Sequence, residues 1–165
     1  VTAQDAHIAG YVLEQNKSVI IVVNKWDLIE KESDTMAYYE QIVRRQLRFL
    51  SYAPILFVSA LTGQRVSQIL PMALRVQEER YTRIKTSDIN RLIREATARR
   101  SPPSKGGKQL RIYYGSQVSV SPPTFVFFVN DTELVHFGYR RFLENQIRER
   151  YTFLGTPLKL VFRGR

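Results

Sequence analysis

Two short polar clusters in this chain each follow a run of apolar residues. Residues 24–27 read Asn-Lys-Trp-Asp and follow the run Val19–Val23, and residues 59–63 read Ser-Ala-Leu-Thr-Gly and follow residues 55–58. Short runs rich in Val and Ile are typical of parallel strands buried on both faces. Because ligands bind beyond the carboxyl ends of such strands, we expect the two clusters to converge on one site.

The residue types in these clusters favour recognition of a guanine base. The Asp27 carboxylate can accept two hydrogen bonds at once, from the imino N–H and the exocyclic amine of guanine, an arrangement that adenine does not offer. The backbone N–H of Ala60 can donate to the guanine oxygen, whereas an amine in that position would be repelled. Lys25 and Leu61 can flank the two faces of the base, and Asn24 can brace the neighbouring loops. A wrong base would leave buried polar groups unpaired, at about 1–3 kcal/mol each.

A plainer interpretation of the same residues is a helix start capped by Asn24 or Asp27 and a turn at Thr62-Gly63. The surrounding pattern favours the site, because helices are predicted over 3–16, 35–50 and 66–83 and alternate with the two strands. Such alternation is typical of an α/β sheet. Two strands alone would leave an unpaired edge and bare apolar surface. We therefore interpret residues 1–84 as the C-terminal half of a nucleotide-binding domain, the rest lying outside this chain.

Residues 85–165 are predicted to form a second, α+β domain in the order α-β-β-α-β. Thr86 or Ser87 can cap its first helix, and the Pro- and Gly-containing segment 101–108 is predicted to be a loop. Strands are expected near residues 110–114, 125–129 and 158–162, with a helix over 136–150. At strand spacing most of the aromatic side chains here should be core: Tyr113, Tyr114, Phe125, Phe127 and Phe128.

Composition and charge narrow the classes of function. The chain has 44% hydrophobic residues, no cysteine, and a net charge of +10. With no membrane-length apolar run and no signal peptide, we expect a cytoplasmic protein without disulfides, thiol catalysis or membrane partners. His7 and His136 stand alone, so no metal site is predicted. Residues 86–165 contain 14 Lys/Arg against 6 Asp/Glu, which suggests a polyanionic partner or simply a solvated basic surface.

With these surroundings, residues 24–27 and 59–63 resemble the guanine-recognition half of a Ras-like P-loop GTPase. The segments "TAQDAHIAGYVLEQNKSVIIVVNKWDLIEK" and "SPPTFVFFVNDTELVHFGYRRFLENQIRERYTFLGTPLKLVFR" resemble the bacterial GTPase family Der, or EngA, from its second GTPase domain through its C-terminal KH-like domain. The resemblance implies tandem GTPase domains, GTP or GDP with Mg²⁺ in the intact protein, and assembly of the large (50S) ribosomal subunit. It assigns guanine binding to Asn24, Lys25 and Asp27, and the second base contact to Ser59 and Ala60.

The phosphate-binding part of such a GTPase does not occur in this chain. No G-x-x-x-x-G-K-[ST] segment is present, so the backbone nest and the lysine that hold the phosphates must lie elsewhere. We therefore expect no catalytic residue in this chain, no GTP hydrolysis by it alone, and no tightly bound nucleotide. The upstream GTPase domains are expected partners.

Contact with ribosomal RNA is predicted for the second domain, although the Gly-x-x-Gly loop by which KH domains clamp RNA is missing near Val135–Arg140. The candidate contacts are basic side chains: Arg91, Arg94, Arg99, Arg100, Lys105 and Lys108, with Arg140, Arg141 and Arg148. No DNA partner is expected.

Two functions fit these observations. In the first, the chain is the guanine-recognition part and basic KH-like domain of a ribosome-assembly GTPase. In the second, it is a non-enzymatic RNA- or ribosome-binding module that retains a relic of the GTPase fold. The presence of Asp27 favours the GTPase function, because a relic domain that no longer binds nucleotide would be free to lose this residue.

Overall fold

The computed structural model describes residues 1–165, which divide into two compact units. The first unit comprises Val1–Arg80 with Leu154–Pro157, and the second comprises Tyr81–Phe153 with Leu158–Arg165. The sequence-based boundary lay after residue 84 and left all later residues in the second domain. None of the helices has the length and apolar character that crossing a membrane requires.

The first unit alternates helices and strands as predicted, with shorter elements. Its elements are α1 (Ala3–Glu14), β1 (Ile21–Val23), α2 (Thr35–Gln46), β2 (Ile55–Phe57) and α3 (Ile69–Arg80). Strands β1 and β2 pair in parallel, with Ile21 opposite Ile55 and Val23 opposite Phe57. Thr2 begins α1 with a capping box, because its side chain accepts a bond from the Asp5 N–H while the Asp5 carboxylate accepts one from the Thr2 N–H.

The core of this unit lies on one face of the two-stranded sheet. Buried residues of α2 and the following turns pack there with partly buried residues of α1, β1 and β2: Val43, Leu47, Leu50 and Ala53 with Ala6, Ala9, Leu13, Ile21, Val23 and Ile55. Val22 points to the opposite face and is 40% exposed. The prediction that β1 is buried on both faces is therefore wrong at Val22, although its partner Leu56 in β2 is buried on that same face.

Residues 154–157 complete the first unit. Gly155 links the two segments that precede the strands: its N–H donates to the Tyr52 carbonyl and its carbonyl accepts from the Val19 N–H, both at 2.8 Å. Gly155 has φ +65°, and an added Cβ would lie 2.8 Å from the Val19 carbonyl oxygen. Only glycine fits at such a position. The neighbouring Thr156 is fully buried, with its hydroxyl 3.2 Å from that of Ser18.

The second unit has the predicted α-β-β-α-β order with one addition. Its elements are α4 (Thr86–Arg99), β3 (Ser104–Lys105), β4 (Lys108–Gln109), β5 (Ile112–Val120), β6 (Pro123–Val129), α5 (Phe137–Arg150) and β7 (Lys159–Gly164). The addition is the antiparallel β3–β4 hairpin within the segment predicted to be a loop. Lys85, and not Thr86 or Ser87, is the N-cap residue of α4, and no side chain caps this helix.

A three-stranded sheet in the order β5-β6-β7 carries both long helices of this unit on one face. Strand β6 pairs antiparallel with β5 and parallel with β7. The core combines residues of both helices with Leu110, which lies between β4 and β5, and with residues of the sheet: Ile89, Leu92, Ile93, Ala96, Tyr139, Leu143 and Ile147 with Phe125, Phe127, Val129 and Leu160. Asn90 also joins α4 to β5, because its amide accepts from the Gly115 N–H and donates to the Gly115 carbonyl, each at 3.0 Å.

Strand β5 departs from the regular alternation expected of it. Ile112 lies opposite Val129 and Tyr114 lies opposite Phe128, so Tyr113 is an extra residue in a β-bulge. Tyr113 is 47% exposed and Tyr114 is 43% exposed. The prediction that most aromatic residues of these strands are core is correct for Phe125 and Phe127; it is wrong for the two tyrosines, and Phe128 is only partly buried and lies outside the core cluster.

Candidate functional site

The residues between Asn24 and Asp27 follow β1 directly, and Trp26 fixes their orientation. The Trp26 side chain is 2% exposed and contacts the rings of Phe57 and Tyr39, with centroid distances of 4.6 and 5.4 Å. The backbone N–H of Trp26 donates to the Val58 carbonyl at 3.0 Å. Lys25, just before it, takes a left-handed backbone conformation with φ 61°. Burial of the tryptophan thus sets the chain path that carries Lys25 and Asp27.

The second polar cluster follows β2 and is hydrogen-bonded to the first. The fully buried Ser59 hydroxyl donates to Asp27 Oδ1 at 2.5 Å and accepts a 3.2 Å bond from the Thr62 N–H. The Ala60 N–H donates to Asn24 Oδ1 at 3.0 Å. Parallel pairing of β1 with β2 ends both strands at the same edge, so residues far apart in sequence meet there.

The arrangement leaves specific groups able to contact a ligand. Asp27 Oδ2 has no hydrogen-bond partner within the protein, and Asp27 is held in place through Oδ1. Leu61 is 86% exposed and Lys25 is also exposed, as side chains that flank a flat base would be. The Ala60 N–H is directed at Asn24, so a base accepting from it would have to share or replace that bond.

Two features of this site were not predicted from the sequence. The ring contacts of Trp26 with Tyr39 and Phe57 join three elements, and a single chain offers no pattern that pairs them. The serine–aspartate hydrogen bond was also missed, although a hydroxyl at the end of one buried strand and a carboxylate at the end of its neighbour are a usable signal. No group of three or more metal-ligating side chains lies together in the structure.

The basic side chains predicted to contact RNA divide into two groups. In the first, the charge already has a partner: Arg91 with Asp88, Arg99 with Glu149, Lys108 with Asp131, Arg148 with Glu144, Arg140 with the Leu160 carbonyl, and Arg100 over the Phe142 ring. In the second, Arg94, Lys105 and Arg141 are exposed and form no ion pair. Carboxylates of the same unit therefore neutralise four of the nine predicted side chains, and a carbonyl and a ring engage two more.

Asp131 illustrates this neutralisation. Its carboxylate accepts a 3.0 Å hydrogen bond from Lys108 and a second from the Glu133 N–H, and these bonds lower the pKa of Asp131 below its ordinary value. The Asp131 side chain is partly exposed to solvent, so salt screens the pair and its strength is modest. Lys108 is consequently a weaker anion contact than an unpaired lysine.

A family model matches the second unit, and relatives of known name are similar to this chain over both units. Residues 83–163 match the family described as KH-domain-like of EngA bacterial GTPase enzymes, C-terminal. Over 163 residues, 99% of this chain and 37% of the relative, the chain is 53% identical to GTPase Der of Moorella thermoacetica. It is 52% identical to GTPase Der of Chloroflexus aggregans over 166 residues, covering 100% of this chain and 37% of that protein.

The fold and these matches define the class first: an α/β unit followed by a KH-like domain of the EngA type. The chain belongs to the GTPase Der (EngA) family and corresponds to the part that carries the KH-like domain. It spans 37% of the length of the curated relatives that it matches.

Proposed function

We propose that this chain provides guanine recognition and a ribosome-contacting KH-like domain to a GTP-hydrolysing protein that acts in assembly of the large ribosomal subunit. Its first unit is the C-terminal half of a Ras-like P-loop GTPase domain. Asp27, Ala60, Lys25 and Leu61 contact the base, while Ser59 and Asn24 position them. The phosphates and Mg²⁺ are bound by the upstream part of the intact protein, so this chain alone neither hydrolyses GTP nor holds nucleotide tightly.

The observation that carries this proposal is the 2.5 Å hydrogen bond between Ser59 and Asp27. It joins the two clusters and leaves Asp27 Oδ2 unpartnered, so one oxygen is fixed by the protein while the carboxylate can still accept from guanine. A capped helix start would need neither the serine nor the second cluster. The names of the relatives, GTPase Der, support the same activity for the intact protein.

The test is nucleotide selectivity of the full-length protein carrying Asp27→Asn. The amide replaces one acceptor with a donor, so GDP affinity should fall on the order of 100-fold from loss of charge-assisted hydrogen bonds, and xanthosine diphosphate should gain affinity. Fluorescent GDP and XDP analogues measure both affinities. Asp34→Asn is the matched control, because Asp34 is exposed in the same unit and its side chain makes no capping bond.

Unchanged selectivity of the Asp27→Asn protein would contradict guanine recognition by this site. If the full-length wild type binds no guanine nucleotide at all, the non-enzymatic module becomes the better interpretation. The ribosomal part is tested separately, by co-sedimentation of the full-length protein with purified 50S subunits in the presence of GTP or GDP. We expect association that depends on the nucleotide, and its absence in both states would contradict that part.

A further inference from the structure

An aromatic surface on the second unit is exposed on the sheet face opposite the helices. Phe128 alternates with the core residues Phe127 and Val129 along β6, so its ring lies on the other face. The bulge in β5 brings Tyr113 and Tyr114 beside it, and all three rings line a surface cavity of about 430 Å³ together with Arg165. We call Tyr113, Tyr114 and Phe128 the aromatic platform.

Two rings of the platform are stacked on each other, and the third has a cation beside it. Tyr114 and Phe128 are nearly parallel, with centroids 5.4 Å apart and an interplanar angle of 14°. The Arg165 guanidinium lies 5.4 Å from the centroid of the Tyr113 ring. Planar guanidinium and aromatic groups side by side form a surface on which another flat group can stack.

The charged side chains on the strands of the sheet that carries the platform are all basic. Arg163 lies opposite Phe128 in the β6–β7 pairing and is exposed, and neither Arg163 nor Arg165 forms an ion pair with a carboxylate. Strands β5, β6 and β7 contain no acidic residue. On the helices, by contrast, Arg99 and Arg150 are paired with glutamates. A ligand complementary to the platform is therefore anionic and carries flat rings.

We propose that the aromatic platform binds unpaired bases of single-stranded RNA, with Arg163 and Arg165 contacting the adjacent phosphates. Unpaired bases expose the π-faces that stack on aromatic side chains, whereas an RNA duplex hides them. The platform lies on the sheet face and is independent of the Gly-x-x-Gly loop that this chain lacks. The inference rests on the proposed ribosomal role and names the surface through which RNA would be contacted.

The test uses the full-length protein and a short, unstructured RNA of mixed uridine and adenosine, labelled with a fluorophore. Wild type should bind this strand more tightly than the same strand annealed to its complement. Tyr113→Ala combined with Tyr114→Ala should weaken binding by about 5- to 100-fold, the effect of removing base stacking. Tyr11→Ala should leave binding unchanged, because Tyr11 is 68% exposed but lies in α1, where no such cluster occurs.

The salt dependence of RNA affinity distinguishes the contribution of the rings from that of the arginines. The double tyrosine variant should keep the wild-type slope of log affinity against log salt, because no phosphate contact is lost. Arg163→Gln with Arg165→Gln should reduce that slope by about 0.7 for each phosphate contact removed. A wild-type protein tested with the same strand carrying abasic sites should lose affinity as the tyrosine variant does, and this measurement needs no altered protein.

Two results would overturn the proposal that the platform binds bases. One is a wild-type affinity that is unchanged by abasic substitution, and the other is a folded tyrosine variant that binds the intact strand as tightly as wild type. If the tyrosine changes weaken co-sedimentation with 50S subunits but not oligonucleotide binding, the occupant is a protein surface and the RNA assignment is wrong. Guanine-nucleotide affinity and 50S association of the wild type are measured independently, so failure of the platform leaves the proposed function standing. If the wild type binds no RNA at all, that result would contradict RNA contact by the aromatic platform and also by the basic side chains predicted from the sequence.

Discussion

The two units present their chemistry in opposite ways. At the end of the parallel strands, the polar groups are bonded to one another, Ser59 to Asp27 and Asn24 to Ala60. On the outer face of the second sheet, the rings of Tyr113 and Tyr114 are close to half exposed, and Arg163 has no carboxylate partner. A ligand at the strand ends must bind to groups that are already hydrogen-bonded to one another, whereas a ligand on the outer sheet face needs only to pack against an exposed surface.

This difference predicts how each region responds to change. Coupled hydrogen bonds give strong selectivity and non-additive effects, because removing one partner leaves the other misplaced. Stacked rings act through contact area and tolerate every base. Both depend on a rigid strand behind them, so the largest expected effects come from the backbone that supports each region.

Gly115→Ala should give the largest loss of stability, because β5 is held closely against α4 at this residue. An added Cβ would lie 2.7 Å from Phe127 Cδ1 and 2.8 Å from Ile93 Cδ1. Overpacking of this kind costs about 1–3 kcal/mol, measured as the free energy of unfolding in urea. The strand beneath the tyrosines should shift as well, so RNA affinity should fall with stability.

Gly10→Ala is the matched control in the first unit. Nothing lies within 4 Å of the Cβ that it would add, and Gly10 is inside α1. Alanine is a better helix former, so the first unit should become more stable by up to about 1 kcal/mol. Equal effects of the two changes would contradict the close approach of β5 to α4.

Ser59→Ala should have the next largest effect, on nucleotide affinity of the full-length protein. Loss of the buried hydroxyl removes the bond that holds Asp27 Oδ1 and leaves the Thr62 N–H without its partner. A hydrogen bond to a charged group contributes about 1.5–3 kcal/mol, so GDP affinity should drop by about 10- to 150-fold. Fluorescent GDP titration measures the change.

A double-mutant cycle decides whether that effect passes through Asp27. In the Asp27→Asn background, Ser59→Ala should cost markedly less than in the wild type, because the carboxylate that the serine positions is already absent. Additive losses would mean that Ser59 acts elsewhere.

The approach of Asp27 to Ser59 was predictable from the sequence, because it depends on short patterns at the ends of two strands. Two buried runs followed by polar residues were enough to place Asp27 near Ser59, because parallel strands end at one edge. The bulge at Tyr113 was not predictable, since an inserted residue leaves the apolar pattern of a short strand almost unchanged. The packing of residues 154–157 with the first unit could not be predicted either, because it depends on backbone hydrogen bonds at Gly155 between segments distant in sequence.

The smallest expected effect concerns Lys108, which the sequence proposed as an RNA contact and the structure pairs with Asp131. Because this pairing lowers the pKa of Asp131, the ion pair stabilises the folded chain above the ordinary Asp value of 3.8 and loses that contribution as the pH falls through the lowered pKa. The difference in unfolding free energy between wild type and Asp131→Asn should therefore be constant near neutral pH and shrink below about pH 4.

The same substitution also compares the two candidate RNA surfaces. In the Asp131→Asn protein, the amide oxygen can still accept from the Glu133 N–H but the charge of Lys108 is released, so a phosphate contact at Lys108 should strengthen and the salt slope should steepen. If the aromatic platform carries the contact, RNA affinity of the Asp131→Asn protein should stay near that of wild type while the double tyrosine variant remains weak. A clear gain in affinity would move the RNA site toward the β3–β4 hairpin, because Lys108 begins β4.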